Sequence, residues 1–335
     1  MTIVPRLSRR SLFTVAGLGT GAALLAACGG DSDAADGKLS VVTSAYPLAY
    51  LVTAIGGEHV TLEDLSSPGV DAHGLELSVK QVMSVEQADL VLQTPGFQAA
   101  LDDAVSSYGG GNVLDVSSAI SLLPADAADS HDEHAGESEE EHAAHDSDGG
   151  GESHDEHEHE GHDHGPDDPH FWHDPVRMAD LADAVGRRLG ELSPDNAQTF
   201  SDAAATLRSE LEELDAELTE SFGAVQGEKP FITSHAAYVY LAERYGLHQI
   251  GITGVDPETE PSPQRLLALE QVVQDEEVST IFFETSASPK VAQTLAQNLG
   301  IDSAELDNLA TQLSEDADYP EVMRDNCAKL VESWK

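Results

Sequence analysis

The sequence predicts an α/β protein made of two similar halves, each with a largely parallel sheet. Three observations predict it. From Leu39 onward, short apolar runs of strand length alternate with runs of helical spacing, the signature of βα units. The same alternation resumes at Phe231 and continues toward the carboxyl terminus. Between the two series, residues 196–222 contain neither Gly nor Pro and place Leu207, Leu211, Leu214 and Leu218 at helical spacing.

In the first half, residues 39–43 read as a strand. A helix over 46–55 follows and stops at Gly56-Gly57. Strands are expected at 60–65, 89–93 and 113–116, with helices at 78–88 and 97–107. In the second half, strands are expected at 231–233, 248–252, 280–284 and 303–306. Helices fall at 236–245, ended by Gly246, at 264–274, at 291–298, stopped by Gly300, and at 321–334. The run at 196–222 would be a helix roughly 40 Å long at about 1.5 Å per residue. Its pattern alone fits a helix packed inside one domain as well as a stiff connector between two.

Composition narrows the function. The 335 residues carry 16 Lys plus Arg against 62 Asp plus Glu, a formal charge of −46. Such a surface repels phosphate, which excludes a nucleic-acid partner and disfavours anionic lipid heads. It attracts cations, so metal ions and basic proteins are the candidate partners. The length suits about two domains. With 40% hydrophobic and only 5% aromatic residues, the core should be aliphatic. Two cysteines make no disulfide framework. No disulfide is expected, and Cys327 reads as a packed small hydrophobe.

Residues 1–28 read as an export signal, with Arg6, Arg9 and Arg10 before an apolar Gly/Ala-rich stretch. Leu25-Ala26-Ala27-Cys28 resembles a bacterial lipobox, which implies cleavage before Cys28 and its lipidation. Ser8-Arg9-Arg10-Ser11-Leu12-Phe13 also resembles a twin-arginine signal. Residues 29–38 then form a flexible tether. The expected location is extracytoplasmic, with membrane attachment through the lipid only.

Residues 126–168 belong to neither half. They hold 18 Asp or Glu, no Lys or Arg, and nine histidines: His131, His134, His142, His145, His154, His157, His159, His162 and His164. With no apolar run to offset the entropy of ordering, this segment is expected to be a disordered loop. Its imidazoles are dense enough for several weak metal sites.

Six histidines lie outside that loop: His59, His73, His170, His173, His235 and His248. His59 sits in a turn and is expected to be exposed. His248 opens a strand as a packed or edge residue. His73 follows a strand, His170 stands between the acidic loop and a helix, and His235 follows the 231–233 strand. Ligands in open α/β folds bind beyond the carboxyl ends of strands. Glu284 and Asp307 also end strand-like runs. Together these residues point to a metal site in a crevice between the halves.

Several motifs strengthen the point. They are Asp168-Pro169-His170-Phe171-Trp172-His173-Asp174-Pro175, Ser234-His235-Ala236-Ala237-Tyr238, Glu260-Pro261-Ser262-Pro263 and Ile281-Phe282-Phe283-Glu284. They resemble the metal-binding solute-binding proteins of ABC importers, specifically the zinc branch (ZnuA-like, cluster A-I), over about 39–334. The resemblance implies two α/β lobes, at 39–125 with 169–195 and at 223–335, joined by the 196–222 helix as a rigid connector. The metal would lie in the cleft. It implies His73, His170, His235 and Asp307 as ligands, with Glu284 as a group orienting a histidine or a substitute ligand. His173 stands where the family is usually apolar and reads as a bystander, or else as an extra ligand. Asn308 stands where the family often has Pro.

Three imidazoles and one carboxylate suit tetrahedral Zn²⁺. A histidine at 235 in place of the carboxylate of manganese members shifts preference toward zinc, though Cu²⁺ and Ni²⁺ also suit imidazole. The expected function is capture of Zn²⁺ outside the cytoplasm for delivery to an ABC permease and its ATPase, by a monomer that is not an enzyme. A metallochaperone is a further candidate partner. The alternatives are a zinc-dependent hydrolase with Glu284 as general base, and a metal-storage or adhesion protein.

Overall fold

Strands that are covered on both faces show no polar side; the inner strands at 39–43, 90–93, 230–233 and 280–284 are mainly apolar, whereas the edge strands at 60–64 and 302–306 carry acids and are partly exposed. A computed structural model describes residues 37–108, 111–125, 127, 166–257, 259–285, 288–314 and 318–335. The export signal, Cys28 and the nine loop histidines from His131 to His164 lie outside the described residues. Within Lys38–Lys335, which pack as one unit, β1 (Leu39–Thr43), β2 (Val60–Asp64), β3 (Leu90–Gln93) and β4 (Val113–Asp115) form a parallel sheet in the order β2-β1-β3-β4. A second parallel sheet holds β5 (Pro230–Thr233), β6 (His248–Gly251), β7 (Thr280–Glu284) and β8 (Asp302–Leu306) in the order β6-β5-β7-β8. The same winding is used twice.

The helices are α1 (Tyr46–Gly56), α2 (Val79–Gln87), α3 (Ala99–Tyr108), α4 (Pro175–Leu192), α5 (Ala197–Gly223), α6 (Val239–Tyr245), α7 (Pro263–Asp275), α8 (Lys290–Leu299) and α9 (Tyr319–Ser333). Local chemistry explains several of their ends. Ser78 and Gln81 make a reciprocal capping box at the start of α2. Asp174 caps α4 by accepting from Val176 N–H and Arg177 N–H, with Pro175 in the first turn. Among the described residues, no helix is long and apolar enough to cross a membrane.

Side-chain alternation sorts the core into layers. Val41, Leu90 and Leu92 face one cluster, and their neighbours Val42 and Val91 face another. The second sheet does the same: Phe231 and Phe282 point one way, Ile232 and Ile281 the other. The inner faces of both sheets share one continuous core, which also takes in the buried sides of α1, α4, α5 and α9. The outer faces close separately, with α2 and α3 on the first lobe and α7 and α8 on the second.

The long helix α5 is therefore both a connector and a packed element. It buries Phe200, Ala204, Leu207, Leu211, Leu214, Leu218 and Phe222. Its closest approach is to α4. A Cβ added at Gly186 would lie 2.7 Å from Ala204 Cβ and 3.2 Å from Phe200 O, so only glycine permits this spacing. Arginines bind other elements to its outer side. Arg208 reaches Asp180 at 2.6 Å and Asp183 at 2.8 Å on α4, Arg244 of α6 reaches Asp215 at 2.6 Å, and Arg324 of α9 reaches Glu217 at 2.6 Å. Partly exposed pairs of this kind contribute about 0–1 kcal/mol each. The buried apolar seam stabilises the helix more than they do.

Several boundaries differ from the sequence expectation. The acidic segment was expected to run to 168, but Asp167 forms an antiparallel bridge with Pro124, and Asp168 N–H bonds Leu123 O at 2.7 Å. Asp168 is fully buried, so the chain re-enters the fold before the D-P-H motif. Helix α6 starts at Val239 rather than at 236. Ala236 N–H is taken by Gly254 O and Tyr238 N–H by the Gln249 side chain, which holds this stretch in a turn. His59, expected to be exposed, is half-buried with its ring edge-on to Phe200. His248 opens the edge strand β6 and pairs with Glu276 at 3.0 Å.

Candidate metal centre

His235 follows β5, the strand beside which the second sheet's winding reverses, where α/β folds form their crevice. His73 comes from the loop after β2. His170 comes from the turn between Asp168 and α4. The first two lie on opposite lobes, and the fold brings all three together. His73 Nε2 lies 3.1 Å from His170 Nε2, and His235 Nε2 lies 3.4 Å from the same atom. Among the described residues, these three are the one group of His, Cys, Asp or Glu whose ligand atoms all lie within 4.8 Å of one another.

Carboxylates hold two of the rings from behind. His170 Nδ1 donates to Asp168 Oδ1 at 2.9 Å, and His235 Nδ1 lies 3.2 Å from Glu284 Oε1. A ring that presents Nδ1–H to a carboxylate presents a lone pair at Nε2. Two such lone pairs at 3.4 Å repel unless a cation lies between them. The spacing itself is informative. Two ligands about 2.0–2.1 Å from a tetrahedral zinc stand about 3.3–3.4 Å apart, and the two observed separations lie close to that value.

Burial pushes the Asp168 carboxyl up to about 7, against the His170 N–H and the neighbouring His235, which favour the charged form. Burial works to lower the His235 imidazole, but Glu284, with Asp71 and Asp168 further off, outweighs it, and the net shift is upward. Both carboxylates therefore favour positive charge at the Nε2 side.

The supporting shell includes groups that the sequence reading passed over. Asp168 is the clearest, because its Oδ1 accepts both the backbone N–H and the Nδ1–H of His170. Asp71 does the first of these for His73, at 2.9 Å. The shared signal was Asp-x-His, present as Asp71-Ala72-His73 and Asp168-Pro169-His170. Phe97 packs edge-on against the His73 ring at 4.7 Å. Gln98 donates to Ala72 O at 2.8 Å and to Ser44 O at 3.0 Å, which fastens the His73 loop to the end of β1. No sequence signal marks Gln98, whose partners are 26 and 54 residues away.

The remaining candidates stand apart from the three nitrogens. Asp307 is turned back on its own backbone: Oδ1 accepts from Leu309 N–H at 2.8 Å, and its main chain is held by Asn326. Burial raises its carboxyl, partly countered by the Leu309 N–H. Glu284 touches His235 from behind and lies outside the three-nitrogen group. His173 is fully buried, with its ring 4.4 Å from that of Tyr238. Burial, with His170 and His235 nearby, keeps it well below the ordinary histidine value.

Known proteins share this arrangement of sequence and fold. The family described as zinc-uptake complex component A, periplasmic, matches residues 41–333. The chain is 33% identical over 301 residues to zinc-binding protein AdcA of Streptococcus pyogenes serotype M3, covering 88% of this chain and 56% of AdcA. It thus spans just over half the length of that relative. It is 31% identical over 322 residues to the high-affinity zinc uptake system protein ZnuA of Bacillus subtilis, covering 92% of this chain and 93% of that protein. Among solved structures, the laminin-binding protein Lmb of Streptococcus agalactiae, described as having adhesin and metal-transporting activity, aligns with a TM-score of 0.71 at 28% identity, over 89% of this chain and all of that one. Zn(II)-bound AdcA of Streptococcus pneumoniae aligns with a TM-score of 0.68 at 28% identity, over 89% of this chain and 58% of that one. The chain belongs to the family of periplasmic zinc-uptake component A proteins.

Proposed function

We propose that the protein is an extracytoplasmic receptor that captures Zn²⁺ in the cleft between its lobes and delivers it to an ABC-type permease and its ATPase. The observation that carries this reading is the convergence of three histidines from both lobes, with His73 Nε2 and His235 Nε2 each standing from His170 Nε2 at close to the ligand separation of a tetrahedral zinc shell. The zinc-binding relatives support it. Zinc is cargo here. His73, His170 and His235 supply three ligands, and Asp168 and Glu284 keep two of the rings aimed. Asp307 closes the shell as fourth ligand by giving up its bond to the Leu309 N–H. His173 takes no part in binding and serves as a packed neighbour of Tyr238.

The lipobox anchors the mature chain through Cys28, and the acidic segment gathers zinc on its histidines. A metallochaperone is the partner that would load that segment. A hydrolase reading is less well supported. It needs a general base that can reach a zinc-bound water, whereas Glu284 engages His235 from the side away from the three nitrogens.

The test is a competitive zinc titration of the mature chain and of a variant lacking residues 126–165. One high-affinity site is expected in both, with fewer total ions bound by the deletion variant. Equal total stoichiometry would refute the gathering role. A high-affinity site that survives His170→Ala would refute the cleft assignment.

A further inference from the structure

Glu284 has one oxygen facing His235 and another facing elsewhere. Oε1 lies 3.2 Å from His235 Nδ1. Oε2 is buried without a hydrogen-bond partner, on a side chain that is 1% exposed. The residue also lines a cavity of about 170 Å³, together with Ser234, Thr253, Thr259, Glu260 and Ser288. Ser234 Oγ, in the same wall, is likewise buried and unpartnered. Among the described residues, two carboxylates and four hydroxyls share this wall with Ile252, Pro257, Pro261, Val291 and Ala292, and no Lys, Arg, His or Cys takes part. A buried carboxylate oxygen left without a partner is unfavourable unless something positive or hydrogen-donating meets it.

We propose that this cavity binds a partly hydrated divalent cation through oxygen ligands, with Glu284 shared between that cation and His235. The donor chemistry sets the class. Oxygen-only sets suit hard ions such as Mg²⁺, Ca²⁺ and Mn²⁺, whereas the three imidazoles suit zinc. The volume holds an ion with some of its water, since each water occupies about 30 Å³ in the liquid. The two sites oppose each other. A cation on Oε2 draws charge away from Oε1, which weakens its hold on the His235 ring and so the ring's basicity toward zinc. Linkage makes the effect reciprocal. Only this coupling rests on the zinc reading; the oxygen site does not.

The experiment is a Mn²⁺ titration of the zinc-saturated mature chain, with free Mn²⁺ followed by electron paramagnetic resonance. The double variant Ser234→Ala, Glu260→Gln is measured in parallel. Binding by the acidic segment is common to both proteins and cancels in the difference. The wild type should bind one more Mn²⁺ per chain than the variant, and saturating Ca²⁺ should weaken zinc binding about fivefold or more in the wild type only. Equal Mn²⁺ stoichiometry in the two proteins overturns the proposal. Should the variant fail to fold, anomalous scattering from Mn²⁺-soaked wild-type crystals decides: a peak in the cavity supports the site, and water alone refutes it. Loss of the zinc site with the extra Mn²⁺ retained would count against the zinc reading instead.

Discussion

The two lobes share one winding but hold their histidines differently. In the second lobe, His235 stands directly after the central strand β5, is 1% exposed, and has Glu284 from the adjacent strand β7 behind it. In the first lobe, His73 rides on a loop after the edge strand β2 and is only half-buried. That loop is steadied indirectly, through Gln98. His170 resembles His235 in being fully buried and backed by a carboxylate. The difference separates a fixed pair of nitrogens from a third on a looser mount. The fixed pair defines the site, and the third controls how firmly it closes.

The largest effect should come from the fixed pair. His170→Ala or His235→Ala should lower zinc affinity more than about a hundredfold, beyond the range seen for supporting residues. His73→Ala should lower it less than either. Chelator-competition titrations of the three variants give the ranking, and an equal loss in all three would break the comparison.

Next come the carboxylates behind the fixed rings. Asp168→Asn and Glu284→Gln should each weaken zinc binding about 10–100-fold without removing a ligand. Gln98→Ala sharpens the other side. It should weaken binding up to about tenfold, at the low end of that range, by freeing the His73 loop, and hydrogen exchange should rise around Ala72 while the segment near His170 stays protected. No change in exchange at that loop would refute the indirect mount.

Smaller effects concern the frame. Gly186→Leu inserts a side chain where even a Cβ would meet Ala204 at 2.7 Å. It should destabilise the fold by about 1–3 kcal/mol, read from denaturant melts. The smallest concerns Cys327. Burial pushes its thiol up to about 11, so at pH 8 the folded protein should be alkylated roughly two hundredfold more slowly than a free cysteine. Rapid labelling would show that α9, which carries Cys327, opens readily from the core.

Much of this frame was legible in the residues. Unbroken apolar runs such as Val41-Val42 and Leu90-Val91-Leu92 mark strands covered on both sides, and Gly246 and Gly300 mark helix ends that the fold realises in left-handed backbone, at φ 64° and 72°. The three histidines stood out by position after strands and by motif. What stayed hidden depends on distance along the chain. Gln98 matters through Ser44 and Ala72, and nothing local reveals that. Helix α6 begins late because Gly254 and Gln249, far along the sequence, take its first amides. The turn of Asp307 onto Leu309 is local, yet an acid followed by Asn-Leu reads equally well as a free ligand.

The D-P-H segment is clasped by residues far from it in sequence. Trp172 Nε1 donates to Asn308 O at 2.8 Å, Tyr319 donates to Trp172 O at 2.6 Å, and Tyr240 donates to Asp168 O at 2.6 Å. Asn308 and Tyr319 are translated 136 and 147 residues after Trp172, and Tyr240 72 residues after Asp168. The nascent first lobe already contains His73 and His170, but it lacks the groups that lock the turn between Asp168 and α4, and it lacks His235. Assembly of the three-nitrogen centre therefore waits until the second lobe has been synthesised, so a chain that stops short of it cannot form the cleft site.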